Sequence, residues 1–230
     1  MPHRPWRAIS AEFVGTAILT TVVIGSGYLA SSLTRDTGLA LLMNAVSTVT
    51  ALGLLIWALA PVSGAQFNPA VSLVLRLRGE LSNSLMLAYI AAQCVGAAAG
   101  AALANTMYGQ QVLSLSTTPR DGLGQLIGEV VATAGLVAAI CLALQRGAGP
   151  HIPVLVPVWI ASACLFTAST ALANPAVTLG RVLTDSFTGI MPASAAGFIA
   201  AQTVGALCGA VAARALATPA KEDTHVITAR

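Results

Sequence analysis

Apolar residues gather into six long stretches, at 8–29, 38–60, 84–106, 123–144, 152–172 and 193–216. A helix needs about 20 mostly apolar residues to cross the hydrocarbon of a bilayer, and each stretch meets that length. Polar residues, glycine and proline separate them, as in SSLTRDTG, STTPRDG and QRGAGPH. Two separators differ from the rest. QFNPAVSLVLRLR begins at Gln66 and LANPAVTLGRV at Leu172, and both contain Asn-Pro-Ala-Val. Asparagine is a good N-cap, and proline is favoured in the first turn, so each motif predicts a helix start. The apolar run after each proline, 70–77 and 176–183, is only half a span long.

The chain also repeats itself. YIAAQCVGAAAGA from Tyr89 and FIAAQTVGALCGA from Phe198 align without a gap. AEFVGTAILT from Ala11 and GEVVATAGLV from Gly128 each place a glutamate at the head of a span. Each half therefore reads as a Glu-bearing span, a second span, Asn-Pro-Ala-Val, and a Gln-bearing span. Three spans per half is an odd number, so the second half must lie upside down relative to the first, as an inverted repeat. The expected fold is an all-α membrane protein with six transmembrane helices and two re-entrant half-helices. It forms a single unit over 1–230, with inverted halves at 8–106 and 123–216 and a flexible cytoplasmic tail at 217–230. Irregular backbone at membrane depth is tolerated only inside protein or beside water. The two half-helices are thus expected to meet end to end near the midplane, beside an aqueous path.

Composition supports the membrane reading. The chain is 56% apolar and 8% charged, where a soluble domain carries roughly 25% charged residues. The net charge of +3 is small, and no basic run with interleaved aromatics is present, which argues against nucleic-acid binding. The N-terminal apolar run is long enough to span and has no clean cleavage site, so it does not resemble a cleaved signal. With the N-terminus inside, the cytoplasmic segments hold Arg4, Arg7, Arg76, Arg78, Arg146, Arg214, Lys221 and Arg230, together with His3, His151 and His225. The outer segments hold Arg35, Arg120 and Arg181, which satisfies the positive-inside rule with both termini cytoplasmic.

Paired Asn-Pro-Ala motifs in inverted halves, with Glu12 and Glu129 heading the first span of each, resemble the aquaporin (major intrinsic protein) family. The resemblance covers about 8–216, nearly the whole chain. It implies a homotetramer in the bacterial inner membrane, each protomer with its own pore for water or small neutral solutes. Asn68, Pro69, Ala70, Asn174, Pro175 and Ala176 would form the pore centre. Physical chemistry agrees: two half-helix N-termini, each carrying roughly half a positive charge, oppose cations there. The asparagine oxygens cap the helices, which leaves the amide nitrogens to donate to a passing solute.

The chain departs from the family after the second motif. Members with a tight filter carry arginine there, and this chain has Val177. Counting back from the motifs places two other filter positions at Thr48 and Ser162, and a loop position at Ala171 completes the ring, with a shift of one residue left open at Ser162 and Ala171; all are small and uncharged. Such a ring predicts a widened filter that passes glycerol-like polyols, urea and uncharged metalloid acids such as arsenite or boric acid. The Arg-to-Val exchange resembles aquaglyceroporin-like channels of bacterial arsenic resistance. Arg181, one turn beyond Val177, is expected to reach the outer vestibule or pair with Asp185 at i+4, with a substitute filter role as the alternative.

Glu12 and Glu129 read as loop anchors that accept hydrogen bonds from irregular backbone, with proton coupling as the alternative. Gln93 and Gln202 read as interhelical hydrogen-bonding groups. Cys94, Cys141, Cys164 and Cys208 lie within spans and are expected to be small buried hydrophobes, with thiol access most plausible at Cys164. Nothing in the sequence calls for a metal, a cofactor or catalysis. Two other classes stay open: a secondary transporter built on inverted repeats, and a non-conducting structural membrane protein of the same fold.

Overall fold

The computed structural model describes residues 5–217. Among these residues it is all helical: α1 (Pro5–Leu33), α2 (Thr37–Ser63), α3 (Pro69–Leu77), α4 (Asn83–Met107), α5 (Leu123–Gln145), α6 (Ile152–Phe166), α7 (Pro175–Val182) and α8 (Pro192–Ala215). A single 3₁₀ turn, Gly149–His151, leads into α6. The six long helices are each apolar enough to cross a membrane. Large apolar residues such as Leu54, Trp57, Val158 and Val211 lie exposed on their outer faces, as lipid contact requires. The expected tail falls almost wholly outside the described residues, as do His3, Arg4, Lys221, His225 and Arg230.

Local chemistry sets the helix ends. Asp36 caps α2 by accepting from the Leu39 amide at 2.9 Å, and Ser82 caps α4 by accepting from the Leu85 amide at 3.2 Å. Gly64, in the left-handed region at φ 87°, closes α2 by donating its amide to Ala60. Thr37–Ser63 carries Pro61 in its last turn, near the point where the chain leaves the helix. The fifth span is shorter than expected. It ends at Phe166, and 167–174 run as irregular backbone toward the second Asn-Pro-Ala motif. Within that stretch the amides of Ala171, Leu172 and Ala173 bond side chains of Ser169 and Glu129 rather than a preceding turn.

The two halves pack alike. α1 lies against α4 and α2, and α5 lies against α8 and α6. Small residues permit the closest of these approaches. A Cβ at Gly100 would lie 2.2 Å from the carbonyl oxygen of Ala17, and one at Gly209 would lie 2.2 Å from that of Ala134. No side chain fits where backbone meets backbone, so helix separation here is fixed by glycine. Gly100→Leu or Gly209→Leu is expected to push α1 from α4, or α5 from α8, and to lower the folded yield several-fold in detergent. Size-exclusion profiles check this, and unchanged monodisperse yield would contradict it.

The half-helices α3 and α7 start at Pro69 and Pro175 and meet between the long helices. Their starts are cross-linked. The Asn68 amide nitrogen donates to the Ala173 carbonyl at 2.8 Å, and the Asn174 amide nitrogen donates to the Phe67 carbonyl at 2.8 Å.

Candidate functional site

Each half-helix is capped by its asparagine. Asn68 Oδ1 accepts from the Ala70 amide at 3.0 Å, and Asn174 Oδ1 accepts from the amides of Ala176 at 3.0 Å and Val177 at 3.2 Å. The amide nitrogens are not wholly free, contrary to expectation. Each spends one hydrogen on the opposite loop's carbonyl and keeps one for another acceptor.

The loops before the motifs hold several non-glycine residues in the left-handed region: Ala65, Phe67, Thr170, Ala171 and Ala173, at φ between 47° and 60°. Such backbone costs of order 1–3 kcal/mol per residue and persists only where its surroundings fix it. The glutamates do the fixing. Glu12 accepts from the amides of Gln66 at 3.0 Å and Phe67 at 2.6 Å, from Ser63 Oγ at 2.6 Å and from Gln93 Nε2 at 2.7 Å. Glu129 accepts from the amides of Leu172 and Ala173, both at 2.9 Å, and from Gln202 Nε2 at 2.6 Å. Each glutamine then bonds the half-helix itself: Gln93 reaches Ser72 Oγ at 3.0 Å, and Gln202 reaches Thr178 Oγ1 at 2.9 Å. Both glutamates are fully buried and spent on these contacts.

A cavity of about 1380 Å³ passes the capped ends. Its wall runs from Arg7 and Glu80, on the face where α1 begins, to Arg120 and Thr188 on the opposite face. Leu52, Ile56, Val71, Leu136, Val156 and Ile160 make one apolar side, and Asn68 and Asn174 supply polar groups. Of the four positions proposed as a filter, Thr48, Ala171 and Val177 lie on this wall. Ser162 does not; it is exposed on the outside of α6. Successive helical residues are about 100° apart, so two residues turn a side chain to the opposite face, and Cys164 occupies the wall instead.

Arg181 is buried on the cavity wall toward the end that holds Arg120 and Thr188, and its Nε donates to the Thr188 carbonyl. It does not pair with Asp185, which accepts from the amide and hydroxyl of Thr117 at 2.9 and 3.0 Å. The reason is local: α7 stops at Val182, so Asp185 is not on the same helix surface. Arg120, which the sequence pattern gave no reason to select, shares this end of the cavity. Its Nε donates to the Gly189 carbonyl at 2.8 Å and its Nη2 to the Phe187 carbonyl at 3.3 Å. Burial pushes its guanidinium below the ordinary arginine value, opposed by the charge of Glu129, and it stays cationic at physiological pH.

The cysteines divide by environment. Cys141 and Cys164 are buried, Cys94 is half-buried, and Cys208 is exposed rather than buried. Among them, only Cys164 is on the cavity wall. A mercurial is expected to block most solute flux through the unmodified protein and to have little effect on Cys164→Ser. Block of equal size in Cys164→Ser would place the reactive thiol elsewhere.

Capped half-helices meeting across a lined cavity, inside six spans, define a membrane channel rather than an enzyme. The chain belongs to the major intrinsic protein family, whose model matches residues 2–168. It is 45% identical over 215 residues to the aquaglyceroporin AqpS of Rhizobium meliloti (strain 1021), covering 94% of this chain and 92% of that one. Human aquaporin-1 is 33% identical over 153 residues, covering 61% of this chain and 55% of its own length. The X-ray structure of the aquaglyceroporin from Plasmodium falciparum has the same fold, with a TM-score of 0.69 at 20% identity, over 91% of this chain and 94% of that one.

Proposed function

We propose that the protein conducts water, glycerol-like polyols and uncharged metalloid acids such as arsenite passively, through a filter widened by the loss of the usual arginine. The observation that carries this is Val177 on the cavity wall at the first turn of α7. A small apolar side chain there, with Thr48, Ala171 and Cys164 also on the wall, leaves room for a polyol and fixes no charge beside it. The aquaglyceroporin name of the 45% identical relative favours the same solute class.

Each half, 8–106 and 123–216, supplies one half-helix to the pore centre, where Asn68 and Asn174 each offer their remaining amide hydrogen to a passing oxygen. Positive N-terminal dipoles oppose cations at that point. The face carrying Arg7, Arg76, Arg78, Arg146 and Arg214 is cytoplasmic by the positive-inside rule. The assembly is a homotetramer in a bacterial inner membrane, with one pore per protomer.

The test is stopped-flow light scattering of proteoliposomes challenged in turn with water, glycerol, urea and arsenite gradients. Glycerol and arsenite permeation well above that of empty liposomes is expected. Water permeation alone would contradict the widened filter, and no permeation would favour a structural role.

A further inference from the structure

The end of the cavity opposite the start of α1 carries two guanidinium groups and no carboxylate. Among the described residues, the charged side chains on the cavity wall are Arg7 and Glu80 at one end and Arg120 and Arg181 at the other. The nearby acids are occupied. Asp121 accepts from Ser194 Oγ at 2.5 Å, Asp185 is held by Thr117, and Glu129 is spent on the loop amides and Gln202. Among the described residues the one ion pair is Arg78–Glu80, far along the chain and near the other end. Arg120 and Arg181 come from different segments, yet both donate to the consecutive carbonyls of Phe187, Thr188 and Gly189, which gathers them on one short loop segment. These contacts use Nε of Arg181 and Nε and Nη2 of Arg120. Both Nη groups of Arg181 and Nη1 of Arg120 have no protein acceptor among the described residues.

Arg181 is buried and Arg120 half-buried, neither is in an ion pair among the described residues, and cations removed from water without a paired anion are costly. Holding the loop carbonyls needs hydrogen-bond donors, but it does not need two positive charges. We propose that Arg120 and Arg181 form an anion-binding site in this vestibule, which takes a small monovalent acid anion presenting two or more oxygens. A guanidinium edge matches two such oxygens in parallel hydrogen bonds, and charge-assisted bonds of this kind are about twice as strong as neutral ones. The arginine missing after the second motif is thus replaced by a pair set farther out, which captures an anion without narrowing the ring at Val177. The site's place at the mouth of a conducting pore rests on the channel reading above; its affinity for an anion does not.

Methanesulfonate is a suitable probe. It stays charged at all accessible pH and cannot cross lipid as a neutral acid, and methanesulfonamide is its neutral counterpart. Glycerol influx into proteoliposomes is measured in low-salt buffer with either compound outside. In parallel, thermal unfolding of the purified protein in detergent is followed with each compound. Methanesulfonate is expected to slow glycerol entry saturably and to raise the unfolding midpoint, and methanesulfonamide to do neither. Arg120→Gln and Arg181→Gln should each weaken the inhibition by about tenfold or more, while Arg120→Lys and Arg181→Lys retain part of it.

Equal effects of the two compounds, or no effect of methanesulfonate on either readout, would overturn the site. Glycerol influx that persists without inhibition would overturn the site and leave the channel standing. Absent glycerol influx with an intact methanesulfonate-specific midpoint shift would do the reverse. If the Gln variants fail to fold, the comparison of the two compounds on the unmodified protein and the Lys variants decides.

Discussion

Glu12→Ala or Glu129→Ala is expected to remove nearly all folded protein from detergent extracts. Glu129 accepts two backbone amides of the second loop, and Glu12 accepts two of the first. Alanine leaves each pair buried without an acceptor, at about 1–3 kcal/mol per amide. It also releases the left-handed residue at Phe67 or at Ala173 whose amide those bonds hold in place. The combined loss of about 2–6 kcal/mol is a large share of the 5–15 kcal/mol that a folded protein has in hand. Glutamine keeps one carbonyl acceptor at nearly the same position, so Glu12→Gln and Glu129→Gln should retain part of the yield and part of the flux. Monodisperse yield by size exclusion, with glycerol flux measured on the same preparations, checks both. An alanine variant with normal yield and normal assembly but no conduction would move the glutamate from loop anchor to permeation.

Val177→Arg is expected to reduce glycerol flux by about tenfold or more, equivalent to adding about 1.4 kcal/mol to the barrier. Val177 is buried on the cavity wall, in the same apolar cluster as Leu52, Ile160 and Cys164. A guanidinium there has no room except the cavity itself. It would stand one turn from Arg181 and fill the space a polyol needs, while a water molecule still passes. The ratio of water to glycerol permeability should therefore rise. Unchanged glycerol flux would show that Val177 does not stand at the constriction.

Much of this architecture was legible because the residues that set it are unusual where they stand. Asparagine and proline at an apolar edge have one good use, a capped helix start, and α3 and α7 begin at Pro69 and Pro175. A glutamate in a span has few tolerable partners, which pointed Glu12 and Glu129 toward backbone amides. Other features left no such mark. The apolar run to Leu172 reads as helix, yet 167–174 is loop, because Glu129 and Ser169 accept its amides and no periodicity records that. Counting residues back from a motif fixes distance along the chain but not direction around a helix, so the count falls on Ser162 while Cys164 faces the cavity. The i+4 pairing of Arg181 with Asp185 assumed a helix that ends at Val182. Arg120 sits in a loop whose composition, STTPRDG, reads only as a turn. Its role depends on carbonyls about 70 residues later, at Phe187 and Gly189.

The central claim is passive conduction, and initial glycerol uptake by proteoliposomes with proton and sodium gradients collapsed by ionophores tests it most directly. The fully buried carboxylates among the described residues, Glu12 and Glu129, are occupied by loop amides and glutamines, which leaves neither free to bind a driving ion. The predicted result is uptake proportional to the glycerol gradient, equal in both directions and unchanged by the ionophores. Uptake that disappears when either ion gradient is collapsed would contradict it and make the protein a coupled transporter.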